Sequence, residues 1–223
     1  MEQTSYKLLD GFSLKLIAAI TMLIDHIGYI FFPKLIVLRM IGRIAFPIYC
    51  FLLVEGFYHT RSPVNYLTRL CGFALLSELP FDLAFFHTTL DLQHQNVFIT
   101  LALGLVSIFC LEEMNTQKLY VIPLVLTWVA AWLVQCDYGL GGVLLIGMFY
   151  KTREMPLIRL LLCALILYSF GTLELYGLIA MIPISLYNGK RGIPAKMVFY
   201  WYYPVHLLIL FGISQLVNYQ PLK

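Results

Sequence analysis

Asp25 and His26 fall near one end of a long apolar run, within the stretch LIDHIG. An ordinary imidazole titrates near neutral pH, so His26 is the first candidate for acid/base chemistry. Neighbours on a helix point about 100° apart, so Asp25 is poorly placed to orient His26 itself. A partner from another helix is the better expectation. Arg39 and Arg43 follow in RMIGRIAFP, four residues apart and hence on one helical face. An arginine there can bind an anionic group or stabilise a developing oxyanion. Glu78 and Asp82, in SELPFD, are also four apart, with Pro80 between them. They are natural partners for Arg39, Arg43 or His26, and one of them could fix the imidazole tautomer as the acid of a hydrolytic triad does. For each of these residues the plain alternative is a structural pairing between helices.

Further polar residues cluster near the same level of the chain's apolar segments. Gln95 and Asn96 open one segment, where Asn96 can also serve as a helix cap. Asp137 and Tyr138 precede a glycine-rich turn, and Glu174 begins another segment. These four positions from Gln95 to Tyr138 are candidate substrate-binding residues. A second inventory lies at the opposite ends of the segments: Lys15, Glu55, His59, Arg61, Arg69, Lys190, Arg191 and Lys196, with Tyr202, Tyr203 and His206 entering the last segment. Its ordinary reading is topological charge with an interfacial aromatic belt. The sharper reading is a mouth for a phosphorylated ligand. His87, Asp91 and His94 have spacings that fit a metal on a helical turn, but no second histidine-rich motif accompanies them, and no metal is expected.

The elements that must position these groups follow from composition. Of 223 residues, 61% are hydrophobic and 12% charged, against about 25% charged in soluble proteins. A soluble domain could not bury so much apolar surface, and a disordered chain would be polar. The expected fold is an all-α, polytopic transmembrane bundle forming a single domain over 1–223. Apolar runs at 14–32, 40–57, 66–86, 97–111, 119–134, 140–150, 157–169, 172–187 and 198–217 give about nine spans, within a range of eight to ten. The 140–150 and 157–169 runs are the weakest. The first run exceeds a signal-peptide core and reads as a retained span. A net charge of +3, with no long basic run, gives no footprint for nucleic acid. Five cysteines cannot form a complete disulfide set and read as small buried side chains.

Nine spans with a cytoplasmic N-terminus put 11 of the 15 Lys and Arg residues inside, and leave Lys34, Arg39, Arg43 and Lys223 outside. That asymmetry favours this orientation in the cell (inner or cytoplasmic) membrane. A charge at mid-membrane costs about 2.5–3.5 kcal/mol on insertion scales. His26, Arg43, Glu78 and Asp82 are therefore expected to share one polar pocket open to the outside.

The runs LKLIAAITMLIDHIG, GRIAFPIYCFLLVEGFYHT, YLTRLCGFALLSELPFDLAF and QNVFITLALG, with the later YGLGG and YWYYPVHLLIL, resemble the TraX family over nearly the whole chain. The resemblance implies an integral membrane acetyltransferase-like protein. It is associated with N-terminal acetylation of conjugative pilin and grouped with membrane acyltransferases that use an embedded histidine. It further implies acetyl-CoA as donor, His26 as the matching histidine, and a pilin or an envelope glycan or lipid as acceptor. In the resulting expectation Arg61, Arg69, Lys190 and Arg191 hold the donor's phosphates. His26 takes the acceptor's proton, Glu78 or Asp82 orients it, and Arg43 or the Asn96 amide stabilises the oxyanion. A proton-coupled transporter and a non-catalytic assembly factor are the rival readings.

Overall fold

The computed structural model describes residues 7–217. Lys223, one of the four basic residues assigned outside, lies beyond them. Helix α1 spans Gly11–Phe31 and starts where Asp10 accepts hydrogen bonds from the Ser13 amide and hydroxyl, both at 2.8 Å. These donors hold the Asp10 acid below the usual carboxylate range. The expected 40–57 span is two helices, α2 (Ile36–Gly42) and α3 (Ala45–His59). Pro47 explains the break, because it has no amide to donate and its ring crowds the carbonyl of residue 43. Helix α4 (Pro63–Phe85) is capped by Ser62, with proline at its first position. Pro80 inside it frees the Leu76 carbonyl.

Helix α5 (Val97–Glu113) is capped by Asn96, and a 3₁₀ turn at Lys118–Tyr120 leads into α6 (Val121–Leu133). Helices α7 (Gly139–Lys151) and α8 (Pro156–Phe170) follow. The expected 172–187 span is a 3₁₀ segment, Thr172–Ala180, running into the short α9 (Met181–Ser185). Helix α10 (Lys196–Leu216) completes the described chain. Each of the nine expected runs thus lies on helix. Three helical stretches among the described residues are long and apolar enough to cross a membrane: α1, Ile36–His59 and α10. Among the described residues, pairing between extended segments is confined to the isolated bridges Leu9–Tyr187 and Gln95–Cys136.

Two sets of contacts define the ends of the bundle. At one end the Leu9 and Gly11 amides donate to Leu186 and Lys190, and Arg153 pairs with Glu55 at 3.1 Å. At the other, Asp137 donates to Gln95 at 2.8 Å, and Arg43 reaches Glu174. Helix α7 lies in the centre, burying Val143, Leu145, Ile146, Met148 and Phe149 against α3, α5 and α8. Its 13 residues rise about 20 Å, short of a hydrocarbon core of about 30 Å. Of the cysteines, Cys50, Cys110, Cys136 and Cys163 are buried, whereas Cys71 is exposed, contrary to the sequence expectation.

Gly42 permits the closest approach between α1 and α2. A Cβ at this position would lie 2.1 Å from the Asp25 carboxylate. Gly42→Ala is therefore expected to lower the midpoint of thermal unfolding in detergent by several degrees. Gly72→Ala, whose methyl would meet nothing within 4 Å, serves as the comparison and should hold or raise it. Equal midpoints for both variants would contradict the packing described.

Candidate functional site

Asp25 lies on the second turn from the end of α1, facing α2. One Arg43 Nη donates to both Asp25 oxygens at 2.6 Å, and Arg39 donates to the same carboxylate at 2.8 Å. The other Arg43 Nη donates to Glu174 at 2.6 Å. Two carboxylates thus face two guanidinium groups, joining α1, the α2–α3 break and the 3₁₀ segment. The arginines pair with Asp25 and Glu174, and not with Glu78 or Asp82. Such a group is tolerable at depth because each charge meets an opposite one. Arg43 Nε is buried and has no partner among the described residues. Arg39 also lies over the Tyr29 ring, at 4.9 Å.

His26 is one position on from Asp25 and turns toward α10. Its Nδ1 is 2.7 Å from His206 Nε2, and the two rings are nearly parallel, at 7°. Phe85 meets the His26 ring edge-on at 5.1 Å. Together with Asp25, Arg39 and Arg43, His26 lines a cavity of about 370 Å³. Its far wall carries Gln95, Gln135, Asp137 and Tyr138. That wall is built by the Gln95–Cys136 bridge and by Thr100, whose hydroxyl donates to the Asp137 carbonyl. Tyr138 adopts a left-handed backbone (φ 64°) and stacks on Phe46 at 3.6 Å.

Glu78 and Asp82 do not reach this cavity wall. Glu78 accepts from the Asn96 side-chain amide, which also donates to the Ala74 carbonyl at 2.8 Å. The Asn96 oxygen caps α5 by accepting from Phe98. Asp82 accepts from the Asp91 amide at 2.9 Å and so anchors the loop after α4. In the same loop, His94 stacks on Phe86 and lies 3.8 Å from Asp91. The expected orienting role of Glu78 or Asp82, and an oxyanion role for the Asn96 amide, therefore find no support in the geometry. These side chains tie α4 to α5 and to the following loop.

A second cavity, of about 380 Å³, opens at the other end. Lys15, His59, Arg69, Arg191 and Lys196 line it among apolar side chains including Leu52, Leu70 and Phe199. Arg69 Nε is buried without a protein partner. Arg61 and Lys190, expected with Arg69 and Arg191 to hold a donor's phosphates, are exposed and do not line the cavity. Lys15, His59 and Lys196 do. Met22, Tyr49, Val97 and Tyr203 line both cavities, so they form a shared waist between the two chambers.

Comparison with known proteins follows the same residues. The TraX protein family matches residues 11–214, which span both cavities and the waist. The chain belongs to the TraX family. It is 31% identical over 237 aligned positions to a probable fimbrial assembly protein, FimC of serogroup H1, from Dichelobacter nodosus, covering 90% of this chain and 94% of that relative. It is 29% identical to an uncharacterized protein of Rickettsia prowazekii (strain Madrid E), covering 78% of this chain and 68% of that one. No solved structure matches the chain significantly.

One residue of this TraX-family site escaped sequence reasoning. His206 reads as part of an interfacial belt, yet it lies ten positions into α10, about 15 Å from the helix start. Counting depth from the basic end, rather than from the nearest aromatic cluster, would have placed it in the interior. The ion group gives the stability prediction. Removing Arg43 strands Glu174 and leaves the buried Asp25 with Arg39 alone, so Arg43→Ala should destabilise the folded protein by about 3–5 kcal/mol. Arg39→Ala, which leaves Asp25 paired with Arg43, should cost clearly less. Unfolding in a graded detergent series measures both, and equal losses would contradict this division of labour.

Proposed function

We propose that this TraX-family chain is an acetyl-CoA-dependent acetyltransferase of the cytoplasmic membrane, spanning it about nine times with the N-terminus inside. The observation that carries this reading is the shared waist. It separates a cavity rimmed by Lys15, Arg69, Arg191 and Lys196 from one containing His26. Acetyl-CoA is made in the cytosol and carries phosphates that cannot enter hydrocarbon. The basic cavity fits such a group: it presents four cations at its rim, an unpartnered buried Arg69 Nε and an apolar interior for the thin pantetheine arm. The thioester would then reach the waist at Met22, Tyr49, Val97 and Tyr203.

On the far side, an acceptor amine or hydroxyl gives its proton to His26 as its nitrogen or oxygen bonds to the acetyl carbon. Arg43 Nε and the Arg39 guanidinium are the donors available to the oxyanion. Collapse of the tetrahedral species breaks the carbon–sulfur bond, and the proton held by His26 returns to the departing thiolate. The products are acetylated acceptor and free CoA, and the proton count closes. A positioned base is worth about 10²–10⁴-fold in rate, and an oxyanion donor about 10²–10³-fold. Gln95, Gln135, Asp137 and Tyr138 face the acceptor. The acceptor itself is a pilin N-terminus or an envelope glycan or lipid, and the fimbrial-assembly name of the Dichelobacter relative supports a pilus or fimbrial subunit.

That same name favours a second reading, in which the His26 cavity holds a pilus component without chemistry. Purified protein given labelled acetyl-CoA and envelope fractions distinguishes the two. Label is expected to move to an acceptor, with His26→Ala reducing the rate by about 10²–10⁴-fold while the protein still inserts. Arg69→Ala should instead raise the KM for acetyl-CoA. Near-normal turnover by His26→Ala would remove His26 as the base, and no binding of CoA by the native chain would favour the assembly factor.

A further inference from the structure

We propose that His206 is a positioning residue that holds His26 in its Nδ1–H tautomer, leaving the His26 Nε2 lone pair open to the cavity as the base; its kinetic consequence rests on the acetyl-transfer reading above. The chain of hydrogen bonds has only one direction. His206 Nδ1 lies 2.7 Å from the Tyr202 carbonyl oxygen. A carbonyl can only accept, so this nitrogen carries the hydrogen. In a neutral imidazole the other nitrogen, His206 Nε2, is then an acceptor. It sits 2.7 Å from His26 Nδ1, which must therefore donate. The hydrogen of neutral His26 is thus used toward His206. Its Nε2 makes no hydrogen bond among the described residues and is not sealed from the cavity that His26 lines.

The opposite arrangement requires a cationic His206 donating from both nitrogens. His206 is buried, and among the described residues no carboxylate lies within ion-pair distance of it. It packs against Tyr202, Tyr203 and His26, and Arg39 and Arg43 line the chamber that His26 faces. An unpaired cation there would be strongly disfavoured.

The register of the pair is built into two helices that start from the same end. Tyr202, one turn before His206, donates its hydroxyl to the Ala19 carbonyl at 2.9 Å, and Ala19 lies about two turns before His26 on α1. The Tyr202 ring also stacks on His206, with centroids 4.7 Å apart. One tyrosine therefore supplies the carbonyl that sets the His206 tautomer and the hydroxyl that sets the α1–α10 register. The arrangement does the orienting work of a triad acid with a neutral group.

Ring-nitrogen NMR of the full chain labelled with ¹⁵N-histidine tests this directly, with the His26 signals assigned by their loss in His26→Gln. Native His26 is expected to show a protonated Nδ1 and an unprotonated Nε2. His206→Phe should release it to a mixture dominated by the other tautomer, while His206→Gln, whose amide oxygen still accepts, should keep it. In acetyl transfer, His206→Phe should lower kcat by about 10²–10⁴-fold with KM for acetyl-CoA unchanged, and His206→Gln should recover most of that loss. A native His26 protonated on Nε2 overturns the proposal, as does a His206→Phe protein with unchanged tautomer and kcat. Should His206→Phe not fold, the native tautomer alone decides. The expected tautomer in a chain that transfers no acetyl group would uphold His206 and remove the acetyl-transfer reading instead.

Discussion

The Asp25 carboxylate, held between Arg39 and Arg43, is the contact on which the rest of the site depends. An ion at this depth is tolerated only where an opposite charge and hydrogen-bond donors meet it. Arg43 passes that requirement on, since its second Nη needs Glu174. Satisfying three such groups draws together α1, the break between α2 and α3, and the 3₁₀ segment. The break exists because Pro47 interrupts the helix at the level where Arg43 must turn inward. Gly42 removes the one side chain that would hold α2 away from Asp25.

With Asp25 committed to the arginines, its neighbour His26 projects toward α10, and this separates the functions of adjacent residues. Charge balance is handled on one face of α1, and the proposed proton chemistry falls on another. The α4–α5 carboxylates serve elsewhere: Glu78 with Asn96 secures the start of α5, and Asp82 secures the loop beyond α4. These contacts fix the walls of the His26 cavity without entering it. The aromatic side chains around it, including Phe85, Phe86, Tyr138 and Tyr203, limit water around the ionised groups and so strengthen the electrostatics inside.

The two cavities make different use of basic side chains. At the His26 end the arginines pair with carboxylates, leaving Arg43 Nε and the remaining Arg39 N–H groups as spare donors. At the other end Lys15, Arg69, Arg191 and Lys196 have no acidic partner within ion-pair distance among the described residues. The first arrangement builds structure and a preorganised field. The second leaves positive charge free for an anionic ligand. A waist of Met22, Tyr49, Val97 and Tyr203 keeps the two environments apart while allowing contact across a single layer of side chains.

The helical class, the apolar segments and the interior polar positions of His26, Arg39 and Arg43 could all be read from the chain itself. Apolar runs mark helices because only internally hydrogen-bonded backbone suits a lipid or apolar surround. Misplaced charges mark a site because burial penalises each of them. The sequence also required a carboxylate partner for the arginines and a partner from another helix for His26. It could not say which, because Glu78, Asp82, Asp25 and Glu174 are equivalent by type and similar in depth. Lateral packing chose Asp25 and Glu174, through the Pro47 break and the close approach at Gly42. Packing likewise brought His206 to His26 from 180 residues away, since partner choice between helices depends on relative rotation and height, which local periodicity does not encode. Arg61 and Lys190 follow the same logic: their charge suits the basic cavity, but it is Arg69 and Arg191, with Lys15 and Lys196 of the same basic inventory, that lie where the packed helices put its wall.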